Sequence, residues 1–127
     1  MNDDLFGRPY PLDSIKNKRI ATRFIRKDIT AFVCEQGLFG YGKPQPVELK
    51  DITSKGVRIK SNKQFALDKK IMLLLQFRAG RSFQIKAMIV RNSHAPTLQE
   101  YGVKFDATND DLGEYLVATQ TKLRIKL

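Results

Sequence analysis

Two short stretches carry side chains that could together bind an anion. Lys16 to Lys27 holds six basic residues (Lys16, Lys18, Arg19, Arg23, Arg26, Lys27) and no acidic one. Within it Arg19 and Arg23 stand four apart. Guanidinium forks meet phosphate oxygens bidentately, match the O6/N7 edge of guanine and stack on base faces. Further along, Asp51-Ile52-Thr53-Ser54-Lys55-Gly56 supplies a carboxylate that accepts from N–H groups and a hydroxyl that donates to a phosphate or accepts from a base edge. Its glycine permits a positive φ or the close approach of a ligand. Read alone, each stretch has a plain explanation: Asp, Ser, Thr and Gly dominate ordinary β-turns, and a basic run can be solvated surface. The reading that joins them is an arm folded back over a turn, both gripping one ligand. Lys18 and Arg26 are secondary candidates. A register through Arg23 and Arg26, three apart, is the alternative to Arg19 with Arg23.

The composition sets the class of partner. The formal charge is +10 and the pI about 9.9, which points to an anion: nucleotide, nucleic acid, acidic protein or membrane surface. A chain of 127 residues with 42% hydrophobic residues is expected to form one domain around its own core. The single cysteine, Cys34, excludes an internal disulfide and a cysteine-based zinc site. It ends an apolar stretch and reads as a small buried hydrophobe. His94, the one histidine, has no cysteine or acid cluster nearby, so no metal is expected. No apolar run approaches the roughly 18 residues of a membrane span, and no membrane insertion is expected. The N-terminus lacks the basic-then-apolar order of a signal peptide, so a cytoplasmic location is expected. Nothing is arranged to activate a nucleophile or transfer a proton, so an enzyme is not expected.

Something must position the arm and the turn. Residues 1–15 show no period and are expected to form a mobile N-terminal arm, with the domain proper over 16–127. Strand character is expected over Asp28–Cys34, Val47–Ile52, Gly56–Ser61, Ile71–Phe77, Ser82–Arg91 and Tyr101–Asp106. Glu35–Pro46 reads as loop, with Phe39 and Tyr41 as exposed, sticky candidates for a partner surface. Six short strands joined by turns predict a mainly β fold, a six-stranded antiparallel Greek-key-like barrel over about 28–106. Leu112, Tyr115, Leu116, Thr119 and Leu123 recur at helical spacing. They predict a C-terminal α-helix over about 109–123, opened by a capping box of Thr108 and Asp111 and covering an open barrel end.

Taken together, the motifs resemble the PilZ domain family over roughly residues 16–123. They are Arg19-Ile-Ala-Thr-Arg23, then Asp51-Ile-Thr53-Ser-Lys-Gly56. Late in the chain Ala87-Met-Ile-Val-Arg91 and Tyr101-Gly-Val-Lys-Phe105 follow, ahead of an acidic helix start. The resemblance implies a receptor for cyclic di-GMP. In that reading Arg19 and Arg23 clamp phosphates and guanine, Asp51 and Thr53 contact a base, and Gly56 permits the turn. Thr53 stands where serine is commoner in the family. Lys18 holds a position that bears on whether one or two stacked ligands bind. The implied partner is a protein of the motility, adhesion or secretion machinery, engaged when the ligand orders the arm. Two other readings stay open: a basic barrel that binds nucleic acid, and a ligand-independent PilZ-like adaptor.

Overall fold

The computed structural model describes residues 3–4, 6–7, 22–93 and 99–125, without the side chains of the first two pairs or of 121–125. The dipeptides Asp3–Asp4 and Phe6–Gly7 pair with each other and take no part in the main sheet. The expectation of a mobile arm over 1–15 otherwise lies outside the described residues.

Alternating apolar residues build the sheet. Its strands are β1 (Ile29–Gly37), β2 (Gly40–Tyr41), β3 (Gln45–Ile52), β4 (Gly56–Ser61), β5 (Lys70–Phe77), β6 (Ser82–Ser93) and β7 (Gln99–Phe105), followed by α1 (Asp110–Ile125). Neighbours run β1-β3-β4-β7-β6-β5, and β5 pairs back onto β1 from Ile29↔Phe77 to Glu35↔Ile71. The six long strands therefore close into an antiparallel barrel, and β2 is a short return strand attached to β1. Leu73, Ile59, Ile89, Val33 and Ala87 are among the inward residues with no exposed surface. Closure leaves the long strands no open edge.

Two sequence expectations shift. The stretch read as loop from Glu35 begins as strand, since β1 continues to Gly37 and turns into β2 through Leu38 and Phe39. Strand β3 also starts earlier, at Gln45. Pro46 is tolerated near that strand start, where a missing N–H costs least.

Each end of the barrel is plugged by rings. At one end Phe65, in the loop after β4, stands edge-on to Tyr101 with centroids 5.3 Å apart. The Tyr101 hydroxyl accepts from the Phe65 amide at 3.0 Å. At the other end α1 lays Leu112, Tyr115 and Leu116 over the barrel. Tyr115 meets Phe77 edge-on at 4.8 Å, and Leu112 and Leu116 are fully buried. The helix cap differs from the expected box. Asn109 is the capping residue, its Oδ1 accepting from the Leu112 amide at 2.9 Å, which satisfies one of the free N–H groups of the first turn. Gly113 would weaken a free helix by about 1 kcal/mol. Here it has a packing reason, because a Cβ on it would lie 3.0 Å from the Cβ of Ser54.

Candidate functional site

Two one-residue bulges put the charged groups of the site on the outer wall. In β3 the core-facing alternation of Val47 and Leu49 would carry Asp51 inward. The register slips between Leu49 and Asp51, so Asp51 pairs with Arg58 and Ile52 with Val57. Ile52 takes the core position and is fully buried. In β6 the inward series Phe83, Ile85, Ala87, Ile89 would carry Arg91 inward as well. A slip between Ile89 and Arg91 pairs Arg91 with Gly102 instead. Bulges re-aim side chains in this way. The result is one row across four strands: Asp51 on β3, Arg58 on β4, Gly102 on β7, Arg91 on β6.

Gly102 keeps the row open. A Cβ there would come within 3.2 Å of the Arg91 Cβ, so glycine leaves a floor between two guanidinium groups. Around the row lies an open cleft of about 440 Å³. Among the described residues five cations line it (Arg23, Lys55, Arg58, Arg91, Lys104) against one carboxylate, Asp51. Such a cleft concentrates anions.

Asp51 is the anchor. Its side chain is only 4% exposed, and both Nε and Nη2 of Arg58 reach its Oδ2 at 2.6 Å. This carboxylate raises the Arg58 guanidinium above its ordinary value, chiefly by accepting its hydrogen bond. Arg58 also faces Glu100 at 3.7 Å, and Glu100 meets Lys50 at 3.1 Å. That lysine is the main cause holding the Glu100 carboxyl below its usual value.

Arg23 and Arg26 part company in space. Arg23 points over the cleft, 63% exposed, with its Nε 3.9 Å from Asp51 Oδ1. Arg26 is 1% exposed. It donates to both carboxylate oxygens of Asp28 at 2.9 and 2.7 Å, reaches the Leu116 carbonyl at 3.3 Å and lies over the Phe77 ring. These bonds tie the segment before β1 to the helix and leave Arg26 no face toward the cleft. The alternative clamp through Arg23 and Arg26 is therefore not assembled in this structure. Lys18 and Arg19 lie outside the described residues.

Thr53 and Gly56 have local duties. The Thr53 hydroxyl accepts from the amides of Lys55 at 2.9 Å and Gly56 at 3.1 Å, a hydroxyl-closed turn. Gly56 does not need a positive φ. A Cβ on it would sit 2.3 Å from the Val103 carbonyl oxygen, so it is the approach of β7 that requires glycine, rather than the approach of a ligand. The turn is pinned on three sides. Phe24 pairs with Ile52 through bonds of 2.8 and 3.0 Å, the Phe105 amide donates to Lys55 O at 2.8 Å, and the Asn109 amide donates to Ser54 O at 2.8 Å.

Sequence reasoning missed four cations of the cleft wall as site residues: Lys55, Arg58, Arg91 and Lys104. Arg58 alternates with the apolar Val57 and Ile59, a pattern that marks it as a wet-face residue. Its partnership with Asp51 depends on the bulge, and Arg91 meets the site only through the pairing of β6 with β7. Among the described residues no group of His, Cys, Asp and Glu could hold a metal. Among them, too, no helix is long and apolar enough to cross a membrane.

Solved structures share this architecture. An uncharacterised Legionella protein superposes with a TM-score of 0.61 at 14% identity, covering 81% of this chain and 98% of its own. The Bacillus subtilis inhibitor of motility MotI/DgrA gives 0.62 at 12% identity, covering 80% and 50%. The K. pneumonia MrkH–c-di-GMP complex gives 0.60 at 13% identity, covering 84% and 52%. The chain thus spans about half the length of the last two, and at these identities the likeness is one of fold. No curated protein sequence matches this chain significantly. The sequence matches the PilZ domain over residues 17–118, most of the barrel and the helix that covers it, and the chain belongs to the PilZ domain family.

Proposed function

We propose that the protein is a cyclic di-GMP receptor whose cleft is the row Asp51–Arg58–Gly102–Arg91 with Arg23 above it. The observation that carries this reading is the charge and shape of that row: a buried carboxylate fixed by Arg58, a glycine floor, and cations on both sides. Two phosphates suit the cations, and guanine N1–H and N2–H₂ suit the free edge of Asp51. Arg23 supplies an exposed guanidinium beside that edge, and Arg19, four residues earlier, is the second member of the clamp. Arg58 and Arg91 offer flat guanidinium faces for a base. Thr53 acts by holding the turn. Gly56 serves the same turn by letting β7 approach. MrkH, a neighbour in fold, is described in complex with c-di-GMP, which supports the choice of ligand.

The signal follows the bonds already present. Ligand that orders the arm pulls on Phe24 and on Arg26, which are bonded to Ile52, Asp28 and Leu116. The turn is bonded to the helix through Ser54 and Asn109. Arm, turn and helix are one contact set, and its outer surface is what a protein partner would read. The partner class is the motility, adhesion or secretion machinery; MotI, described as an inhibitor of motility, favours the first.

Titration calorimetry with cyclic di-GMP tests the reading. Saturable heat is expected, lost in Asp51→Ala and Arg58→Ala; no heat at tens of micromolar ligand would overturn it. A nucleic-acid binder would instead show a steep salt dependence with RNA or DNA and no competition by the cyclic dinucleotide. The rings Phe77, Phe83, Tyr101 and Phe105 are buried, whereas base-stacking platforms need rings on an exposed face.

A further inference from the structure

The β1–β2 hairpin, at the barrel end away from the cleft, presents the most exposed apolar pair among the described residues. Gln36 pairs with Tyr41 and Gly37 with Gly40, which leaves Leu38 and Phe39 as a two-residue tip. Gly40 takes φ 111° to close it, and the Gly42 amide donates to Glu35 O at 2.8 Å just behind. The finger is therefore braced, yet Leu38 is 97% and Phe39 102% exposed. Leu67, in the loop that covers the same barrel end, is exposed too. A firm backbone that holds adjacent Leu and Phe side chains in water marks an interaction site rather than scattered surface apolarity.

Shape and charge select the occupant. The tip is convex and two residues wide, so it is a wedge rather than a groove. A fluid bilayer interface closes around a wedge without a preformed pocket. Lys43, Lys63 and Lys69 stand in the loops around it against Glu35 and Asp68, with Glu35 already facing Lys63 at 3.6 Å. The three lysines against two carboxylates leave a positive excess around the tip, which favours an anionic surface. We propose that the Leu38-Phe39 hairpin seats in the headgroup region of an anionic bilayer, holding the protein on the membrane without spanning it. Strand β1 begins beside the helix at Ile29↔Phe77 and ends at the tip. Seating the tip therefore leaves the ligand cleft, at the other end of β3, open to solvent. The inference stands independently of the cyclic di-GMP reading.

The test is co-sedimentation of the full chain with phosphatidylcholine vesicles, with and without phosphatidylserine. Binding to the anionic vesicles is expected, with about a tenfold loss of partition in Leu38→Ser or Phe39→Ser and a comparable loss without phosphatidylserine. Both side chains are exposed, so the variants should keep the wild-type melting temperature and ligand titration. The chain has no tryptophan. Phe39→Trp is therefore a clean reporter whose emission should shift to the blue on anionic vesicles, while Val117→Trp, on the helix at the other end, should not shift. Wild-type protein that ignores anionic vesicles overturns the proposal. So does vesicle binding unchanged by Phe39→Ser, which would mean charge alone. Self-association in solution that Phe39→Ser abolishes, without vesicle binding by the wild type, would assign the tip to a protein contact and overturn it as well.

Discussion

Replacing Arg26 with alanine should destabilise the fold, and replacing Arg23 should instead weaken ligand binding, although the two residues are three apart in one basic run. The Arg26 side chain is 1% exposed and holds Asp28 with two charge-assisted bonds, with a third bond to Leu116 O. Removing one partner of a buried pair costs about 3–5 kcal/mol, because the other charge is left unpaired. Asp28 keeps some solvent contact, at 16% exposure, which places the cost near the lower end, about 3 kcal/mol. For a chain of this size that is a fall in melting temperature of about 10–15 °C. Arg23 is 63% exposed and stands 3.9 Å from Asp51, a contact worth about 0–1 kcal/mol to the fold. Its loss should leave the melt nearly unchanged. In the cleft it should remove a charge-assisted bond worth about 1.5–3 kcal/mol, a loss of roughly 10- to 150-fold in affinity. Circular-dichroism melts and calorimetric titration of both variants read the two effects separately. A variant lacking Arg26 that melts like wild type, together with wild-type ligand affinity in the variant lacking Arg23, would refute the assignment.

Three further outcomes are expected. Gly56→Ala should destabilise by at least the about 1–3 kcal/mol of overpacking, read by urea unfolding, since its Cβ would meet the Val103 carbonyl oxygen at 2.3 Å. Thr53→Val should cost about 1–2 kcal/mol by leaving the Lys55 and Gly56 amides without their acceptor, whereas Thr53→Ser should retain the turn and the ligand affinity. Asp28 is held below its ordinary value of 3.8, first by the hydrogen bond from Arg26. A depressed carboxyl stabilises the fold above its unfolded-state value and loses that contribution as the pH falls through its folded-state value. The acid limb of the stability curve should therefore be shallower in Asp28→Asn than in wild type, measured by denaturant titration from neutral pH downward.

Much of the architecture was legible because it rests on local periods. Val57 and Ile59 alternate against Arg58 and Lys60, and Phe83, Ile85, Ala87 and Ile89 share one face. Leu112, Tyr115 and Leu116 recur at helical spacing. Backbone geometry alone turns such patterns into strand and helix, and the long strands lie within a residue or two of where the pattern put them, except β1, which runs three residues further, while the short β2 falls in the stretch read as loop. The turn was legible too, since Asp51 to Gly56 uses turn chemistry. The helix cap was misjudged by one residue: Asn109, rather than Thr108, accepts the first-turn amide of α1.

What the sequence by itself determined is a basic β chain with a closing helix and an arginine arm ahead of a hydroxyl-bearing turn. Only the tertiary structure decided which charges share a wall. Strict alternation sends Asp51 and Arg91 into the core, and two one-residue register slips bring them outward to flank Arg58 and Gly102. A slip of one position reverses every side chain beyond it, and whether it occurs depends on the partner strand. The division of labour between Arg23 and Arg26 has the same origin. The two are alike as residues, and they differ because Asp28, Phe77 and Leu116 converge on one and Asp51 on the other. Asp28 lies two residues from Arg26, but Leu116, Phe77 and, for Arg23, Asp51 are distant in the chain and are brought up only by folding.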